Sequence, residues 1–326
     1  MTKMGDSLQE TFIQKERNKS LKEGDMYKFI VASLKGVSQI MLIENSLTGI
    51  LILVAITIAS PFLGVITLLS VMIGTIVAII SGANQQAIQA GLFGYNSALT
   101  GLALAVFLVG PYDWIIALFG AAIVSILTAA FMQSMKAMEI PILTLPFVII
   151  TWFLLLTSYK LKIFELSPSL VSDNLTNITL DFSGPIHWID GFVLNIAQIF
   201  FLDNFISGIL LFIALFIAGW RYGLYAVIAS ITALLTAFIL GGEHSLISLG
   251  LYGYNAILTI IAVSIVFKEK ENLFALYSGI IGASLTIIIT ASLTIWLFPL
   301  GLPALTMAFI LSTWLFLAAR KVMPNL

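Results

Sequence analysis

GLFGYNSALTGLALAVF, residues 91–107, and GLYGYNAILTIIAVSIVF, residues 250–267, are one apolar, glycine-started, Tyr-Asn-centred segment written twice in a single chain. The offset is 250 − 91 = 159 residues, about half of the 326. Upstream, Gln39, Ile40, Glu44, Asn45 and Gly49 find partners in Gln198, Ile199, Asp203, Asn204 and Gly208 at the same offset. Downstream, LTLPFVIITW (143–152) pairs with LTMAFILSTW (305–314) at 162, so three residues are inserted between the second and third blocks. Internal duplication in so apolar a chain points to transport, because membrane carriers place their site where two repeats meet.

Composition narrows the class further. Hydrophobic residues make up 60% of the chain, charged residues 10%, and the mean hydropathy is +1.08. A soluble domain carries about 25% charged residues, so this is an all-α polytopic membrane protein. Its apolar stretches exceed the roughly 18 residues that mark a spanning helix. A net charge of −1 and the lack of a basic patch with interleaved aromatics point away from nucleic acid. Cysteine is absent, which excludes disulfides, thiolate metal sites and cysteine nucleophiles.

The chain divides into a polar N-terminal segment (1–28), a first transmembrane repeat (29–158), a linker (159–190), a second repeat (191–319) and a short tail (320–326). In the N-terminal segment, Leu8, Phe12, Ile13 and Leu21 give a weak apolar stripe, consistent with either a short interfacial helix or a solvated tail. The linker holds Pro168, Gly184, Pro185 and charges of both signs. Each repeat has six apolar stretches, the first two short and interrupted by polar residues, and such matched interruptions point to a substrate site. Five crossings plus a re-entrant half-helix per repeat make the second repeat inverted relative to the first. Basic residues at both ends place both termini in the cytoplasm, although Lys160 and Lys162 in the linker pull the other way.

No acidic residue interrupts the centre of an apolar stretch, and the two histidines, His187 and His244, lie outside the spans. Ionisable groups within the bilayer are costly and serve ion coupling, so their absence favours a neutral solute moving down its gradient. Gln39 and Gln198 each lie in an apolar run, where an unpartnered amide costs about 2–7 kcal/mol. Each therefore serves either an interhelical hydrogen bond or a wet pathway. Asn45 and Asn204 read as helix N-caps, at a break inside the membrane or at its surface. Tyr95 and Tyr254 can wall a flat slot or pack in the core, and Leu99 and Leu258 share their helix face four residues on. Thr144 and Thr306 either bond their own helix or offer oxygen to a solute.

With these blocks assembled, the chain resembles the urea transporter family, whose signatures have the forms Q-x-x-F-x-x-N-P-L-[ST]-G, G-[LYF]-x-G-[YF]-N-x-x-L and L-T-x-P-F-x-x-x-T-W. Here they read QIMLIENSLTG, GLFGYNSAL and LTLPFVIITW, with weaker second copies, over about residues 29–319. The chain departs from the pattern where Ser46 and Phe205 replace the proline, Leu42 replaces an aromatic, and Ala308 stands opposite Pro146. The resemblance implies a homotrimer, each protomer with its own urea-conducting pore built from an oxygen ladder and paired aromatic slots. It implies ladder-starting glutamines at Gln39 and Gln198, and slot walls at Leu42, Phe201, Tyr95 and Tyr254, with Phe93 and Tyr252 as neighbouring candidates. It further implies constriction or ladder positions at Leu99, Leu258, Thr144 and Thr306. Urea and membrane lipid are the expected partners, without a cofactor or metal.

Other readings remain at this stage. A channel for ammonia, water or a short amide is one, but paired pore histidines and Asn-Pro-Ala motifs are lacking. A membrane-embedded enzyme would gather Asp, Glu, His or Lys at one membrane face, and here the charges are scattered. The compact chain, with little beyond its two repeats, points to a bacterial inner membrane.

Overall fold

Asparagines start the two helices that meet at the middle of the molecule. The structure, a computed structural model, describes residues 25–170, 172–178 and 180–326; the apolar stripe expected over residues 8–21 lies outside them. Helix α1 (25–39) ends in a tight turn, and α2 (Ser46–Ala59) begins where the Asn45 side chain accepts from the backbone N–H groups of Leu47 and Thr48. Its counterpart α8 (Trp188–Ala197) breaks in the same way before α9 (Phe205–Ala218), where the Asn204 side chain accepts from Ser207 N. The segments Trp188–Phe200 and Phe205–Ala218 meet at a bend of 77°. Ile40, Met41, Ile43, Ile199, Phe200 and Leu202 around the two breaks are buried, so these chain ends border protein rather than lipid, as a membrane interior demands.

The remaining helices follow in matched order. In the first half they are α3 (Pro61–Ile80), α4 (Gln85–Gln89), α5 (Gly94–Phe107), α6 (Asp113–Met135) and α7 (Leu145–Leu156). In the second they are α10 (Trp220–Ile239), α11 (His244–Ser248), α12 (Tyr254–Ile261), α13 (Ala275–Leu297) and α14 (Met307–Arg320). Helices α3, α5 and α6 pack into one trio and α10, α12 and α13 into the other, while α2 packs on α9 across the two halves. Among the described residues, four helical segments are long and apolar enough to cross a membrane alone: 61–80, 113–138, 220–239 and 275–300. The bent pair gives a fifth; the other apolar helices are shorter than the roughly 20 residues a crossing needs.

Small residues let these helices approach. Helix α10 buries Gly223, Ala226, Ala229, Ser230, Ala233 and Ala237 along one stripe, the kind of surface that drives association where lipid removes the ordinary hydrophobic force. Its other face, like the outer faces of α3 and α13, presents exposed Leu, Ile and Phe, among them Leu68, Ile76, Ile231, Phe238, Ile281 and Ile288. Apolar surface of that extent marks a face that meets membrane or another protein surface.

The two trios run in opposite senses. Ile116 near the start of α6 packs with Leu297 at the end of α13. At the other face, Glu139, beyond the end of α6, and Asn272, before the start of α13, line one cavity. The linker covers the first of these faces: Tyr159 Oη donates to Leu300 O at 3.0 Å, and Leu108–Val109 pairs antiparallel with Glu165–Leu166.

Candidate functional site

Thr144 and Thr306 stand immediately before α7 and α14, and their Oγ1 atoms are 2.7 Å apart. Both are buried. A residue with the left-handed backbone precedes each threonine, Leu143 at φ 50° and Leu305 at φ 49°. For a branched side chain that conformation costs about 1–3 kcal/mol unless its surroundings enforce it. Tyrosines of the repeated Gly-Tyr-Asn segment supply the enforcement. Tyr95 Oη donates to Leu143 O at 2.6 Å, and Tyr254 Oη donates to Leu305 O at 2.8 Å. Each neighbouring asparagine ties the same helix sideways, Asn96 to Thr128 at 3.1 Å and Asn255 to Thr290 at 3.2 Å. The result is a continuous chain from Tyr95 through Leu143–Thr144 to Thr306–Leu305 and Tyr254, with one hydrogen bond at its midpoint.

The duplicated glutamines make the same bond twice. Gln39 Nε2 donates to Ala90 O and Gln198 Nε2 donates to Leu249 O, each at 3.0 Å. The next residues, Gly91 and Gly250, have φ of 79° and 71°, and a Cβ on either would run into the backbone of Gly36 or Asn195. Each amide therefore bridges its helix to a turn only glycine can make. Both glutamines are half-buried, and Gln39 also lines a cavity of about 550 Å³ with Leu42, Tyr95, Met135, Leu143 and Phe267.

The turns that follow the two glutamines differ. Leu42 and Phe201 occupy matched turns, both left-handed, at φ 61° and 56°. Phe201 meets Phe107 edge-on with ring centroids 5.3 Å apart and lies 6.5 Å from Phe147. Phe267 ends the second segment as Phe107 ends the first and lines the 550 Å³ cavity with Leu42 and Tyr95, so the difference between the two turns is an aliphatic Leu42 where the other has the Phe201 ring.

Leu42, Tyr95, Leu99, Phe201, Tyr254 and Leu258 share the central packed cluster with Leu143 and Leu305. Phe93 and Tyr252 do not join it. Phe93 packs with Ala32, Ala78 and Ile88, and Tyr252 with Ala237 and Ile247, in two separate clusters. Two functional candidates escaped sequence reasoning. Trp152 Nε1 donates to Pro303 O and Trp314 Nε1 donates to Pro141 O, each at 2.8 Å, so the halves exchange identical bonds. The repeated Thr-Trp ending of the third block was the available signal.

Chemically the site is neutral. Among the described residues no group of three His, Cys, Asp or Glu could hold a metal ion. The charged side chains on the 550 Å³ cavity, Lys136 and Glu139, belong to the loop end of α6. Such a file of hydroxyls and carbonyls can accept and return hydrogen bonds to an uncharged polar solute.

Comparison with known proteins agrees in kind. The family model described as Urea transporter matches residues 30–321. Urea transporter 1 of Rattus norvegicus is 27% identical over 306 residues, covering 90% of this chain and 77% of that protein. Urea transporter 1 of Capra hircus is 26% identical over 312 residues, covering 92% and 79%.

Proposed function

The chain belongs to the urea transporter family, and from that premise we propose that it conducts urea across the membrane passively, through a narrow path between its two repeats. The observation that carries this reading is the Thr144–Thr306 hydrogen bond, flanked on each side by a tyrosine-held leucine carbonyl. A carbonyl oxygen has two lone pairs, so Leu143 O keeps one acceptor after binding Tyr95, whereas Leu305 O also accepts from Asn255 Nδ2 at 3.3 Å and offers an acceptor only when that longer bond opens. Urea is planar, neutral and rich in N–H donors. It replaces its water shell step by step with these oxygens, and at the midpoint it takes the place of the bond the two threonines make to each other. Ions fail because the proposed path offers a few neutral oxygens in file rather than a charged group or a closed ring of carbonyls, too little to repay the loss of an ion's hydration. Gln39 and Gln198 start the two ladders, Leu42 and Phe201 wall the two slots, and Leu99 and Leu258 narrow the path one turn beyond the tyrosines.

Charge distribution supports an orientation. Lys136, Lys268, Arg320 and Lys321 border cavities on the face where α6 ends, whereas Lys160 and Lys162 lie on the linker face. The positive-inside rule then puts the Gln39–Leu42 mouth and the C-terminal tail in the cytoplasm. Assembly as a homotrimer in a bacterial inner membrane belongs to the same reading.

The test is stopped-flow light scattering on vesicles carrying purified protein, with urea, glycerol, ammonia and potassium as solutes. Fast, saturable urea uptake independent of proton and sodium gradients is the expected result. Folded protein that passes no urea overturns the reading.

A further inference from the structure

One charged side chain is buried among backbone carbonyls beside the Leu42 mouth. Arg320, at the last position of α14, is only 8% exposed. Its Nη2 donates to Val263 O at 2.7 Å, its Nη1 to Phe267 O at 3.0 Å and its Nε to Leu326 O at 2.9 Å. The first two acceptors bracket a wide turn. After α12 the chain runs Ala262–Val266 as a single π-helical turn, closed by Phe267 N donating to Ala262 O at 2.9 Å. Widening a helix in this way displaces carbonyls from their ordinary partners, and a buried carbonyl left unpaired is costly. The planar guanidinium, with donors fixed in a fork, meets two of them at once.

Val266 and Phe267, the residues so placed, line the same cavity as Gln39, Leu42 and Tyr95. The other half lacks this device. Ser158 stands where Arg320 would be, and Phe107 O accepts from Ser167 N of the linker at 2.9 Å instead. The adjacent Lys321 donates from Nζ to Met138 O at 2.8 Å, across the cavity rim from Phe267. The end of α14 therefore grips both rims of one mouth.

We propose that Arg320 is a positioning residue for the Leu42 mouth: by holding the π-turn carbonyls it fixes Phe267 at the rim and so sets the girth of solute admitted there. This rests on the reading of the cavity as one mouth of the urea path, but it is tested without measuring urea. Because the chain has no cysteine, a Leu42→Cys substitution gives a single reporter in that mouth. Its alkylation by a slender and by a bulky maleimide yields a rate ratio that does not depend on the amount of folded protein. Adding Arg320→Met should raise the bulky-to-slender ratio severalfold, with Arg320→Lys intermediate because one ammonium cannot span both carbonyls. An unchanged ratio in Arg320→Met overturns the inference and leaves Arg320 a purely structural residue. Should Arg320→Met fail to insert, Phe267→Ala in the same reporter background decides: a raised ratio supports the rim assignment and an unchanged one overturns it. Urea flux through the unsubstituted protein, measured in parallel, judges the functional reading separately.

Discussion

Thr144 and Thr306 are 162 residues apart in sequence and 2.7 Å apart in space, each the other's hydrogen-bond partner. The pairing means that one threonine cannot be altered without changing the surroundings of the other. Thr144→Val or Thr306→Val leaves a buried hydroxyl without its partner, at a cost of about 1–3 kcal/mol. Replacing both by valine removes the need along with the bond, so the double variant should melt closer to the unsubstituted protein than the sum of the singles predicts. Urea flux should fall modestly in each single variant and further in the double one. Additive melting shifts would contradict the partnership.

Tyr95→Phe frees Leu143 O from its tyrosine, whereas Tyr254→Phe leaves Leu305 O still accepting from Asn255 Nδ2. We expect a loss of about 0.5–1.5 kcal/mol in stability for each, together with slower urea flux, the larger effects in Tyr95→Phe because its left-handed leucine loses the tyrosine with no second donor on the carbonyl. Normal flux at reduced stability would assign the tyrosines to scaffolding alone.

Gln39→Leu and Gln198→Leu should leave assembly intact while lowering urea flux. Each removes one bridge to a backbone carbonyl and one polar group of the proposed path. Flux unchanged in both variants would take these residues out of the pathway, and loss of assembled protein would show the bridge to be their main role.

The caps offer a stability comparison with an internal control. Asn45 accepts from two backbone N–H groups and Asn204 from one. Alanine at an N-cap costs about 0.5–2 kcal/mol, and Asn45→Ala should lie toward the upper end with Asn204→Ala below it. Thermal melts in detergent of the two single variants check the order.

The sequence carried the architecture far because duplication writes each structural decision twice. Asn45 and Asn204 were legible as caps from their place before apolar runs, and the break between α8 and α9 follows from them. Thr144 and Thr306 were legible as equivalent positions but not as partners, since equivalence fixes a correspondence and says nothing about approach. From the residues alone the tyrosines could wall a slot or pack in the core, and the family resemblance implied slot walls; that their hydroxyls hold carbonyls about 50 residues downstream is something no local pattern encodes. Arg320 was read only as a tail charge for orientation. A single arginine at the end of an apolar run looks solvated, and its burial depends on a π-turn that hydrophobic periodicity does not reveal.

The exchange between Trp152 and Pro303, and between Trp314 and Pro141, bears on how the protein is made. A ribosome that has delivered only the first repeat has released Trp152 with its acceptor some 150 residues from being synthesised. Until α14 enters the bilayer neither indole has its bond and neither threonine its partner. A half-made chain thus lacks every one of these cross-repeat bonds, and the proposed path is completed only when the last helix arrives.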